Sequence, residues 1–218
     1  MKYKAAIFDM DGLLIDSETL GYQAWQQTSA ELNFDLPDEI YFTFIGRRVL
    51  DVREIFIQQI SKDLDFEDVW EYKNIIKNNF LSENGMQIMP GVENILDFFE
   101  SKKIPTLVAT SSLREAADKW LTQLDLKNRF VEIITGEDVE NGKPAPDIYL
   151  RAAEKISIDP KDCIVFEDSE QGVRSANAAG MDVVLVPGIV PPSDEIREIA
   201  HLVCKSLNDA IDSDLFRG

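Results

Sequence analysis

Ala5-Ala6-Ile7-Phe8-Asp9-Met10-Asp11-Gly12-Leu13-Leu14-Ile15-Asp16 decides how the rest of the chain is read. An apolar run of strand length ends abruptly in two carboxylates at i and i+2, and the glycine behind them lets the backbone turn. In an extended chain, residues two apart point to the same side, so Asp9 and Asp11 converge on one small volume. Like charges that close need a cation or a proton between them. Oxygen ligands with room for water and a phosphate suit Mg²⁺. Taken alone, Asp-x-Asp is better explained by a solvated strand end; the pattern around it changes the reading.

The chain has 218 residues, enough for one large domain or a core carrying an inserted lobe. With 22 Lys and Arg against 40 Asp and Glu, its net charge of −18 argues against non-specific binding to nucleic acid and against an anionic membrane surface. Met1-Lys2-Tyr3-Lys4 runs into the first strand without the apolar segment of an export signal, and no apolar run reaches the ~18 residues of a membrane span. A cytoplasmic location is expected. Cys163 and Cys204 lie in different segments and read as two free thiols, and the single histidine, His201, stands apart from every polar cluster.

After the first strand the spacing predicts only helices. One begins near Ser17, read as its N-cap, and carries Leu20, Ala24, Trp25, Thr28 and Leu32; others start at Pro37 and cover 51–60 and 66–80. From Pro90 the pattern becomes alternating: helix 91–103, strand 104–109, helix 114–124, strand 130–135, helix 146–155, strand 163–166, helix 171–179, strand 183–186. Such alternation implies right-handed crossovers and a parallel sheet covered on both faces. The fold class is therefore α/β: a doubly wound, Rossmann-like core of residues 1–15 and 89–218, with an all-helical cap inserted at 16–88. The tail from Asp212 onward is expected to fray.

Sites in an open parallel sheet form beyond the carboxyl ends of its strands. Four apolar runs deliver polar groups there: Asp9 and Asp11; Thr110-Ser111-Ser112; Gly142-Lys143-Pro144-Ala145-Pro146; and Glu167-Asp168-Ser169. Each has an ordinary explanation of its own. Ser112 and Glu115 have capping-box spacing, and a lysine is usually a surface residue. Together they make a phosphoryl-transfer centre, in which one aspartate attacks phosphorus, the other shuttles a proton, and the hydroxyls and the lysine hold the remaining oxygens.

The four motifs, Phe8-Asp9-Met10-Asp11-Gly12, Val108-Ala109-Thr110-Ser111-Ser112, Gly142-Lys143-Pro144-Ala145-Pro146-Asp147 and Phe166-Glu167-Asp168-Ser169 with Gly172, stand in order over nearly the whole chain. By these the sequence resembles the haloacid dehalogenase superfamily, in the branch of β-phosphoglucomutase-like and pseudouridine-5′-phosphatase-like proteins. The resemblance implies that Asp9 is the nucleophile and Asp11 the general acid and base. It implies that Asp9, the Asp11 carbonyl and Asp168 hold Mg²⁺ with Glu167 adjacent, and that Thr110, Lys143 and the Ser111 backbone N–H bind the phosphoryl group. The mutases' histidine in the first cap helix has no counterpart in Leu20-Gly21-Tyr22-Gln23-Ala24-Trp25, where Gly21 takes its place. Their lysine for a second phosphate is replaced by Leu113.

The expected activity is thus Mg²⁺-dependent hydrolysis of a small phosphorylated metabolite, a sugar phosphate or nucleoside-type monophosphate, by a monomer. A phosphosugar mutase is the alternative. A non-catalytic phospho-acceptor domain is a second one, which would have no need of a cap. Arg47 and Arg48, linked through Gly46, are the cap residues expected to reach the substrate.

Overall fold

The computed structural model describes residues 2–216. In chain order its elements are β1 (Ala5–Phe8), α1 (Ser17–Leu32), α2 (Asp38–Tyr41), α3 (Val49–Gln59), α4 (Phe66–Asn84), α5 (Val92–Ser101), β2 (Thr106–Ala109) and α6 (Arg114–Gln123). There follow β3 (Glu132–Ile134), α7 (Asp147–Lys155), β4 (Cys163–Glu167), α8 (Glu170–Ala178), β5 (Asp182–Leu185), α9 (Asp194–Ile199), β6 (Leu202–Val203) and α10 (Leu207–Asp212). The strands form one parallel sheet in the order β3-β2-β1-β4-β5-β6. The chain winds outward from β1 in both directions, so the switch point of the doubly wound sheet lies at the end of β1, where Asp9 and Asp11 follow.

The two-residue period of a strand sorts its side chains between two cores. Ala6 and Phe8 of β1 join Ile164 and Phe166 of β4 on one face, under α5 and α10. Ala5, Ile7, Cys163 and Val165 face the opposite core with Tyr149 and Ala152 of α7 and Val173 of α8. The register pairs Phe8 with Phe166, whose rings stack with centroids 4.7 Å apart. One residue further on, that register sets Asp9 against Glu167, and the Asp9 N–H donates to the Phe166 carbonyl.

Helices α1–α4 carry a third core of their own, with Trp25, Phe44, Phe56 and Phe66 at its centre. Helix α4 starts where the Asp65 carboxylate accepts the N–H groups of Glu67 and Asp68, at 2.9 and 3.2 Å. The cap hangs from two crossings that run side by side: Ile15 bridges Ile88 antiparallel, and the Met89 N–H donates to the Leu14 carbonyl at 3.0 Å.

Three expectations about local structure are corrected. Ser17 is the first residue of α1 and not its N-cap, and its hydroxyl is directed elsewhere. Ser112 and Glu115 form no capping box; α6 begins after Leu113 without a side-chain cap. The tail does not fray as far as it is described: Asp214–Phe216 form a 3₁₀ turn, and Phe216 is buried against Phe98, Phe99 and Phe166, with ring centroids 5.4, 5.6 and 6.3 Å away. Residues 217 and 218 lie outside the described residues. Replacing a buried phenylalanine by alanine removes its transfer energy and leaves a cavity. Phe216→Ala is therefore expected to cost about 3 kcal/mol in urea unfolding, whereas a fraying tail would cost nothing measurable.

Candidate active site

Three loops at the carboxyl edge of the sheet, those after β1, β3 and β4, converge on one buried cluster. The Lys143 ammonium donates to both Asp9 Oδ1 and Glu167 Oε1, which the β1/β4 register has placed opposite one another. All three side chains are buried. Burial opposes the lysine's charge, but Asp9 and Glu167 together outweigh it and hold its pKa above the ordinary value. Burial pushes the Asp9 carboxyl well up; Lys143 pulls it back, and the charges of Glu167 and Asp11 push it further. Asp168 is raised by burial first and then by Glu167, Asp9 and Glu18.

Glu167 is fully engaged. Its Oε1 accepts from Lys143 and from the buried Tyr149 hydroxyl at 2.6 Å, and its Oε2 accepts the N–H groups of Asp168 and Ser169 and the Ser169 hydroxyl. A Cβ on Gly172 would lie 1.7 Å from Oε1, so only glycine leaves room for this carboxylate. Asp168 is different: among the described residues no hydrogen-bond donor meets its carboxylate. Gly12 sits at φ +81° against it, where an added Cβ would come within 2.1 Å of Asp168 Oδ2. Asp9, Glu167 and Asp168 each offer an oxygen within 4.8 Å of the others. This surplus of buried negative charge, with one carboxylate lacking any donor, fits a hard divalent cation bound by oxygen.

Asp11 stands apart from that group. Its Oδ1 accepts the Ser17 hydroxyl at 2.6 Å, and its Oδ2 accepts Ser112 at 2.7 Å and Thr110 at 3.1 Å. The carboxylate is thereby aimed into the cavity between cap and core. Sequence reasoning had Thr110 as a phosphate ligand and missed Ser17 and Ser112 here, because both serines have cap-like positions that account for them locally. Ser111 turns its hydroxyl to the cap, donating to the Gly46 carbonyl at 2.7 Å.

The cavity has a volume of about 520 Å³ and reaches from Asp9, Asp11 and Thr110 to the cap residues Glu18, Arg47, Lys73 and Lys77. Arg47 lines it while holding the Thr43 carbonyl through Nε at 2.9 Å. Arg48 does not line it and is turned toward the core. Lys73 was not singled out from sequence, since a lysine on a long helix normally points to water. Here it is buried, with its ammonium 3.5 Å from the Trp70 ring centre. Burial and the neighbouring Lys77 bring its pKa down to about 7, against an upward pull from Glu18. Burial and Asp11 raise Glu18 to about 7, opposed by Lys77, Lys73 and a hydrogen bond from Tyr41.

Comparison with known proteins identifies the family. The family model for haloacid dehalogenase-like hydrolases matches residues 6–186, and the chain belongs to that family. It is 33% identical over 183 residues to a phosphorylated carbohydrates phosphatase of Thermotoga maritima, covering 82% of each chain. It is 34% identical over 192 residues to a Drosophila melanogaster protein named as a probable pseudouridine-5′-phosphatase, covering 85% of this chain and 82% of the relative. Among solved structures, β-phosphoglucomutase from Clostridium difficile superposes with a TM-score of 0.79 at 25% identity, over 95% of this chain and 92% of that one.

The buried Lys73 makes a pH signature. An unfolded lysine keeps its proton to about pH 10.5, whereas the folded one releases it near 7. The unfolded state therefore holds more protons between those values, and this group makes stability rise with pH across that window. Lys73→Met is expected to be more stable than wild type at pH 7 and to lose that rise, as read from urea unfolding at pH 7 and pH 9.5.

Proposed function

We propose that this protein is a Mg²⁺-dependent phosphatase that hydrolyses a small phosphomonoester, a sugar phosphate or nucleoside-type monophosphate, through an aspartyl-phosphate on Asp9. The observation that carries this reading is the pairing of Asp9, gripped through one oxygen by Lys143, with Asp11, aimed into the same cavity by three hydroxyls. A nucleophile and a proton carrier held by separate anchors can act in turn on one phosphorus.

In this scheme the free oxygen of Asp9 attacks phosphorus as the bond to the leaving oxygen breaks, and Asp11 delivers its proton to that oxygen. A water molecule then attacks the aspartyl-phosphate, Asp11 takes a proton from it, and Asp9 is restored as inorganic phosphate departs. Lys143 and the groups after β2 neutralise and orient the phosphoryl oxygens. Asp9 and Asp168, with the Asp11 carbonyl, would hold Mg²⁺, which lowers the repulsion between the nucleophile and the phosphoryl group.

The cap half of the cavity supports a leaving group rich in hydroxyls. Glu18, Tyr41 and Lys73 offer acceptors and donors there, and Trp25 and Trp70 supply apolar walls. The cationic side chains Arg47, Lys77 and Lys119 line the cavity and favour an anion in a protein that is otherwise strongly acidic. Leu113, at the position where the mutases carry a lysine for a second phosphate, supports release of phosphate over its return to the sugar.

A panel of phosphomonoesters, assayed for released phosphate with and without Mg²⁺, tests the proposal. EDTA is expected to silence the enzyme and Mg²⁺ to restore it. Asp9→Asn should lower kcat by on the order of 10³-fold or more with the far-ultraviolet spectrum unchanged; a variant that still turns over would remove Asp9 as nucleophile. Asp11→Asn should also disable turnover. Isomer interconversion without phosphate release would favour a mutase.

A further inference from the structure

Arg48 was expected to reach the substrate, and the structure gives it a different employment. Its Nη1 donates to the backbone carbonyl of Glu140 at 2.9 Å, across the seam between cap and core. Its Nε and Nη2 are held from the cap side by Asp51, at 3.2 and 3.4 Å, so the guanidinium arrives at the core already oriented. The side chain is only 20% exposed.

Two core glycines form the seat it occupies. A Cβ on Gly142 would lie 2.5 Å from Arg48 Nε, and one on Gly136 would lie 3.1 Å from Arg48 Cγ and 2.7 Å from the Ser111 carbonyl. Neither glycine has a φ in the left-handed region, so backbone conformation does not call for glycine at either position. What both spare is space, and the Arg48 stem fills it. The same cap loop makes two more contacts with the core. Ser111 donates to the Gly46 carbonyl, and Gly46, at φ +76°, lies so close to Ser169 that a Cβ would come within 2.6 Å of its hydroxyl oxygen.

Three of the core residues this loop touches adjoin a site residue: Ser111 beside Thr110, Gly142 beside Lys143, and Ser169 beside Asp168. We propose that Arg48 is a positioning residue, a latch that seats the closed cap in the Gly136–Gly142 loop and thereby fixes the segment that delivers Lys143 to Asp9. The catalytic meaning of the latch rests on the phosphatase reading; its structural meaning does not. The guanidinium reads whether the cap is home and transmits this through Gly142, with no contact to the substrate. Displacements of about 1 Å in a catalytic group cost as much as 10²-fold in rate, so a seat this near Lys143 has leverage.

The full-length chain tests this by amide hydrogen exchange and kinetics on wild type, Arg48→Ala and Arg48→Lys. Arg48→Ala is expected to speed exchange in residues 136–145 while the β-strands keep their protection. It is also expected to lower kcat/KM by about 10- to 100-fold, by the same factor for glycerol 3-phosphate as for p-nitrophenyl phosphate. Arg48→Lys, which can still donate to the Glu140 carbonyl, should recover most of both. Unchanged exchange in 136–145 would overturn the proposal. So would a loss confined to one substrate, which would put Arg48 on the leaving group. Should Arg48→Ala not fold, Asp51→Asn, which releases the guanidinium on the cap side only, carries the same exchange measurement with the same two readings. If wild type releases phosphate from no phosphomonoester, the function proposed above fails, and the exchange comparison still decides the latch.

Discussion

One ammonium group between two carboxylates organises this molecule. Lys143 bridges Asp9 and Glu167 at the ends of adjacent strands, with all three side chains withdrawn from water. Removing such charges from water costs several kcal/mol each unless they are paired and hydrogen-bonded, and removing one partner strands the others. The surrounding structure meets that cost in detail. The stacked Phe8 and Phe166 fix the register that sets Asp9 against Glu167, Tyr149 and the Ser169 segment complete the hydrogen bonds of Glu167, and Gly172 clears the volume the carboxylate fills.

The cluster is left unbalanced. Four carboxylates, Asp9, Asp11, Glu167 and Asp168, meet one lysine. Glu167 is saturated by protein donors and Asp11 is held by hydroxyls, so the excess falls on Asp9 and Asp168. Each of those two offers an oxygen within 4.8 Å of the other, close enough for one cation to offset both. A site of this kind is preorganised for its reaction because the donors are already aimed when the substrate arrives.

The helical insert gives that site a lid. Its two crossings run side by side at Ile15 and Ile88, which leaves the loop from Gly46 to Arg48 to meet the core at a distance from the hinge. A cap seated over charged groups keeps bulk water from them, and charge interactions strengthen where water is excluded. The cap contributes half-buried Glu18 and buried Lys73, whose proton affinities have moved toward one another chiefly because each is partly withdrawn from water.

The sequence by itself determined the alternation of strands and helices, the helical insert after the first strand, and the four polar strand ends with Asp9, Asp11, Lys143 and Asp168. These are written in local pattern: apolar runs of strand length, helical spacing, and motifs of adjacent residues. The β6 strand escaped because its two residues, Leu202 and Val203, are too short to show a period. Tertiary structure decided where side chains with a satisfactory local account actually go. Ser17 and Ser112 have the spacing of helix caps, yet their hydroxyls serve Asp11, because burial makes an acceptor there worth more than a free N–H that water can reach. Phe216 has the look of a frayed end until the aromatic face beneath it is built. Lys73 is an ordinary surface cation in sequence and Arg48 reads as a hand reaching for the substrate; only the packing of cap helix on cap helix, and of cap on core, turns the first into a buried amine and the second into a contact between lobes. Local pattern fixes which residues are near in the chain; burial and charge pairing, which depend on residues far apart in it, exist only once the chain has closed.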